Sequence, residues 1–203
     1  MMQAGNKENV FVSGSFDDIK AHQVRFLERA SKLGSLTVDL WSDETIHHLT
    51  GKAPKFTQEE RFYFVKSVRY VSQVILPTGT VKKDTIPTDN IVQPTSWAVM
   101  EEDDTLQKRA FCAAHQLKYI VLKDEGLADF AQIAAYSENK PTSKKKVIVT
   151  GCFDWLHSGH IRFFEETSAL GDLYVVLGHD KNVLLLKGKG HPLFPENERR
   201  YMV

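Results

Sequence analysis

Thr150-Gly151-Cys152-Phe153-Asp154-Trp155-Leu156-His157-Ser158-Gly159-His160 is the stretch whose reading decides the fold. It follows Val147-Ile148-Val149, a short and fully apolar run of the kind a buried parallel strand shows. After it, Ile161, Phe164 and Ser168 fall on one helical face, Gly171 stops the helix, and Leu173 to Leu177 reads as the next strand. The stretch therefore sits where a strand ends and a helix begins, which is the ligand-binding edge of an open parallel sheet. Gly159 lets a backbone come close to a ligand, and the helix N-terminus offers free N–H groups and a positive dipole end to a phosphate. His157 and His160 stand three apart, so both can face one anion, donate hydrogen bonds to its oxygens and stabilise transition-state charge. Either histidine alone reads as a surface or cap residue. A zinc pair would need a Cys or carboxylate at ligand spacing beside them, and none stands there.

Outward from this stretch, the chain repeats itself at an offset of 137. Gly14-Ser15-Phe16-Asp17 lies on Gly151-Cys152-Phe153-Asp154, and ten of the 23 positions from Gly14 to Leu36 are identical to their counterparts. With one residue inserted, Glu60-Arg61 matches Glu198-Arg199 and Tyr63 matches Tyr201. Copy one gives the same strand, turn, helix and strand, ending with Leu36 to Trp41. Thr57-Gln58-Glu59-Glu60 is a capping box opening a helix to about Tyr70, and Val71 to Leu76 is a strand. Asp104 to His115 reads as a helix, Lys118 to Leu122 as a strand and Leu127 to Tyr136 as a helix. Trp97 and the acidic run Glu101 to Asp104 are expected to begin a helix rather than to bind metal. His47-His48 reads as solvent-facing on a helix.

This alternation implies an α/β fold: tandem Rossmann-like open parallel sheets with helices on both faces and right-handed crossovers. The expected division is a first domain over 1–137, a polar, Pro-broken linker over 138–146 and a second domain over 147–203. Val203 aligns with Val65, so the second copy is expected to be truncated, the N-terminal part of a domain. Copy one departs at the chemistry. His157 becomes Lys20, Gly159 becomes His22, His160 becomes Gln23 and Lys187 becomes Thr50, whereas Gly14, Phe16 and Asp17 remain. The first domain is thus expected to be degenerate, contributing by packing or homodimerisation or by holding a ligand without turning it over.

Composition removes other classes. Of 203 residues, 42% are hydrophobic and 26% charged, an ordinary globular balance. The 26 basic and 26 acidic residues cancel, which argues against a nucleic-acid binder. No run approaches the roughly 18 apolar residues of a membrane span. The N-terminal residues have no apolar signal core, and two isolated cysteines, Cys112 and Cys152, make no disulfide framework, so the expected compartment is a reducing cytoplasm.

The segment 151–160 resembles the HxGH signature of the cytidylyltransferase-like nucleotidyltransferases, whose fold is of the HUP type. Leu186-Lys187-Gly188 resembles that family's Lys-Gly step, and Glu196-Asn197-Glu198-Arg199-Arg200 its Glu-x-Glu-Arg helix start. The resemblance is close from about Lys145 to Val203 and looser over copy one. It implies transfer of a CMP or AMP moiety from CTP or ATP to a small phosphorylated alcohol or sugar, with release of pyrophosphate and Mg²⁺ present. By resemblance, His157, His160 and Lys187 would be catalytic. Gly151, Cys152, Phe153, Asp154, Ser158, Gly159 and Arg199 would bind nucleotide, Asp154 by ordering the loop. Lys189 and His191 would reach the acceptor, and no residue is assigned to a metal. The rival reading is a regulatory or scaffold protein of the same fold that binds nucleotide without turnover. A tRNA-synthetase-like module shares HxGH but would predict a longer chain and a nucleic-acid surface.

Overall fold

The apolar run Val10-Phe11-Val12 forms the centre of a parallel sheet because nothing polar interrupts it on either face. The computed structural model describes residues 8–77, 82–87, 93–124, 130 and 143–203. The chain divides into two units, Met1–Ala128 and Asp129–Val203. In the first, β1 (Asn9–Gly14), α1 (Ala21–Ser31), β2 (Ser35–Leu40), α2 (Asp43–Thr50), α3 (Gln58–Ser67), β3 (Gln73–Ile75), β4 (Ser96–Met100), α4 (Leu106–Ala114) and β5 (Lys118–Leu122) follow in order. The sheet order is β3-β2-β1-β4-β5, every pair parallel, with helices flanking it. The order reverses between β1 and β4, so the carboxyl ends of these two strands flank the switch-point crevice of a Rossmann-like sheet.

In the second unit β6 (Lys146–Gly151), α5 (Ser158–Ser168), β7 (Asp172–Leu177), α6 (Asp180–Lys187) and α7 (Glu196–Met202) repeat the opening of the first. β6 pairs with β7 in the register that β1 keeps with β2: Gly151 faces Leu177 as Gly14 faces Leu40. The same close approach recurs where the helix turns into the second strand. A Cβ on Gly34 would lie 2.1 Å from the Glu8 carbonyl oxygen, and one on Gly171 would lie 2.0 Å from that of Lys145. Both positions therefore require glycine.

One expectation is corrected. Trp97 does not begin a helix; it lies inside β4, fully buried, with Phe11, Phe111 and Tyr119 edge-on to its ring. The acidic run makes a single 3₁₀ turn, Glu101–Asp103, and α4 starts only after Thr105, whose hydroxyl accepts from the Lys108 N–H. Five residues, Ser96 to Met100, are enough for a buried strand when the neighbours on both sides are strands, a long-range condition that local patterning does not report. The helix expected over Leu127 to Tyr136, apart from Phe130, and residues 138–142 of the expected linker lie outside the described residues.

Candidate nucleotide site

The loop from Gly151 to His157 is shaped by two residues. Phe153 takes a left-handed backbone (φ 44°), and its ring folds back over Gly151, where an added Cβ would stand 2.7 Å from the ring. Copy one repeats the device with Phe16 at φ 44°. Asp154 follows with its side chain fully buried. One oxygen accepts from the Leu193 and Phe194 backbone N–H groups at 2.5 and 3.4 Å. The other lies 2.6 Å from His191 Nδ1 and 3.7 Å from Lys187 Nζ. Burial raises the pKa of this carboxyl, but the hydrogen bonds from His191, Leu193 and Phe194 and the Lys187 charge outweigh it, and the group is held below the usual carboxylate range. Asp154 thus draws the α6 end, the following loop and the start of α7 toward the strand–helix turn.

His157 caps α5: its Nδ1 accepts from the Gly159 N–H at 3.1 Å. In the neutral ring Nε2 therefore carries the hydrogen and is the donor. A Cβ at residue 159 would come within 2.9 Å of the His157 ring, so Gly159 admits the capping imidazole, a nearer reason for glycine than a ligand. The His160 ring lies 4.1 Å from that of His157 and edge-on to Phe153. Its Nδ1 is buried without a partner among the described residues. Burial, then the neighbouring His157, then the Lys187 charge push the His160 pKa below the usual histidine value, which favours the neutral ring. His157 and His160 thus stand together at the N-terminal end of an 11-residue helix, and Lys187 and His191 share the Asp154 carboxylate of the loop that precedes it. Ser158 is half-buried in its first turn, and Lys189 is exposed beyond Lys187.

Arg199 is elsewhere. It is 1% exposed, and its donors go to the carbonyls of Phe194, Cys152 and Gly178 and to Asp180. Copy one holds the same clamp: Arg61 donates to the carbonyls of Phe56 and Ser15 and to Asp43 at 2.6 Å. The Cys152 carbonyl is therefore engaged by the clamp. Asp180 is the residue the sequence reading missed. The signal was present, since Asp43 and Asp180 stand at the repeat offset and precede Arg61 and Arg199 by 18 and 19 positions.

Among the described residues, no three His, Cys, Asp or Glu side chains come together as a cation cluster. Among the described residues the donor set therefore builds no Mg²⁺ site of its own.

Residues 148–203 match the cytidylyltransferase-like family model. An FAD synthase from Ferroglobus placidus is 50% identical over 60 residues, 29% of this chain and 38% of that protein. The bifunctional protein HldE from Desulfatibacillum aliphaticivorans is 41% identical over 75 residues, 36% of this chain and 15% of that one. The chain thus spans well under half the length of these curated relatives. A crystal structure of a lipopolysaccharide core biosynthesis protein from Thermoplasma volcanium aligns with a TM-score of 0.46 at 17% identity, over 58% of this chain and 96% of that one. Residues 148–203, which carry the buried Asp154, the paired imidazoles and the arginine clamp, are thus the part of the chain that is similar to the cytidylyltransferase-like family.

Proposed function

We propose that the second unit handles the triphosphate in a nucleotidyl transfer from CTP or ATP to the phosphate of a small phosphorylated alcohol or sugar. The observation that carries this is the pair of imidazoles, His157 and His160, at the α5 N-terminus, with the Lys187 charge acting on His160 and Lys187 itself held by Asp154 of the same loop. An acceptor phosphate oxygen bonds to the α-phosphorus, the bond from that phosphorus to the α–β bridging oxygen breaks, and pyrophosphate leaves with the electron pair. No covalent enzyme intermediate is needed, so the residues act by position and charge. The His157 Nε2–H and the α5 N–H groups donate to phosphate oxygens, and Lys187 offsets the charge that grows as the bond breaks. His160 is neutral in the free protein and gains a proton, or donates one hydrogen bond, when the phosphates arrive. Lys189 and His191 are assigned to the acceptor, His191 oriented by Asp154.

Pyrophosphate release with CTP or ATP and a panel of phosphorylated alcohols and sugars, Mg²⁺ present, tests the proposal. Release that needs one nucleotide and one acceptor, and that falls by about a hundredfold or more in Lys187→Ala and in His160→Ala, is the expected result. Full rates in either variant would remove that residue from the chemistry. A non-catalytic nucleotide-binding role is the second reading. Tight nucleotide binding without release from any pair would select it.

A further inference from the structure

The first unit has lost the imidazole pair but kept a cleft at the same edge. It lies at the carboxyl ends of β1 and β4, holds about 200 Å³, and is lined by Ser13, Gly14, Phe16, Gln23, Trp41 and Lys108. The volume is below the range of drug-sized pockets, about 300–1,000 Å³, so the occupant is small. Lys108 is 3% exposed, spends one N–H on the Asp103 carbonyl at 2.7 Å, and sits over the Trp97 ring. The Trp41 indole Nε1 is buried without a partner among the described residues.

Charge separates this cleft from the site in the second unit. Lys20, at the position of His157, pairs with Asp18 at 2.8 Å, and Lys55 pairs with the other oxygen of Asp18 at 2.6 Å. Asp18 thus ties both lysines into ion pairs beside the α1 N-terminus, where the second unit presents imidazoles. The cleft lining sets Glu102 and Asp103 against Lys108, so it carries no surplus positive charge. A polyphosphate would meet carboxylates there. An uncharged ligand with ring nitrogen or carbonyl acceptors and hydroxyls would meet the indole N–H and the Lys108 ammonium as donors, carboxylates and serine hydroxyls as hydroxyl partners, and the Phe16 and Trp41 rings as apolar faces.

We infer that the first unit binds a phosphate-free nucleoside in this cleft, using the repeated strand–loop–helix without the phosphate chemistry. The inference rests on the proposed function in taking the repeated loop as a nucleotide loop. It does not require the second unit to turn over.

The test uses the full 203-residue chain with ¹⁵N-labelled tryptophan, titrated with cytidine and adenosine and then with CTP and ATP. The three indole N–H signals resolve the two units, since Trp41 and Trp97 lie in the first and Trp155 in the second. Trp41→Phe assigns the Trp41 signal. A nucleoside is expected to shift that signal saturably, with its triphosphate needing about tenfold higher concentration or more. Asp18→Asn is expected to narrow that gap. No movement of the Trp41 signal with either nucleoside up to about 10 mM would overturn the inference, as would a triphosphate saturating it first. Triphosphates that leave Trp155 unmoved, with nucleosides still shifting Trp41, would count against the proposed function and leave the nucleoside cleft standing.

Discussion

His160 sits under two opposing demands. Its neighbours His157 and Lys187, together with burial, disfavour a proton on it in the free protein. An incoming triphosphate brings negative charge that favours one. Nucleotide binding between about pH 6 and 7 should therefore take up protons. Titration calorimetry in buffers of different ionisation enthalpy would measure the uptake, and His160→Gln should lower it. Equal uptake in both proteins would show that His160 stays neutral on binding. The same shift has a stability sign. The unfolded histidine binds its proton at higher pH than the folded one, so this group's contribution is complete above about pH 7 and falls away as pH drops through 6.5 toward the folded value. At this scale the two histidines and Lys187 were legible as a pattern. That the His157 Nδ1 caps its own helix, fixing which nitrogen donates, was not, because a cap depends on backbone geometry.

At the scale of elements, each unit is tied together by one buried arginine. Arg61 and Arg199 each link the strand–loop turn, the chain entering the last helix of the repeat and an aspartate at the start of α2 or α6. Replacing either with methionine leaves two or three partly buried carbonyls without donors, each costing up to about 1–3 kcal/mol. Arg61→Met should destabilise the first unit by about 3 kcal/mol or more, read as a lower urea midpoint for that unit. Arg199→Met should do the same to the second unit alone. An effect on nucleotide binding with unchanged stability would instead make Arg199 a ligand contact. The repeat exposed the matched Glu-Arg pairs in sequence; that both arginines are spent on the protein itself required the fold, since all but one of each arginine's partners lie 18 to 47 positions away.

Across the whole molecule, the two copies differ in how far their sheets are covered. In the first unit β1 has strands on both flanks, and Val10, Phe11 and Val12 are at most 1% exposed. In the second, β6 pairs only with β7 among the described residues, and Ile148 and Val176 are 67% and 51% exposed. A two-stranded sheet is marginal unless a helix or further strands cover it. Backbone amides of β6 and β7 should therefore exchange with deuterium faster than those of β1 and β2, by about tenfold or more. Equal protection would mean that the β6 flank is covered in solution.

The amino-acid sequence by itself determined the repeat, the strand–loop–helix that opens each copy, and the placing of His157, His160 and Lys187 in one copy only. Those are local matters: apolar runs, helical spacing, and glycines such as Gly151 and Gly159 whose crowding neighbours, Phe153 and His157, stand two residues away. The tertiary structure alone decided the rest. It made Ser96–Met100 a central strand, because flanking strands on both sides outweigh a weak local preference. It made Asp154 a hub for Lys187 and His191, because only folding brings residues 33 and 37 positions apart within reach of one buried carboxylate.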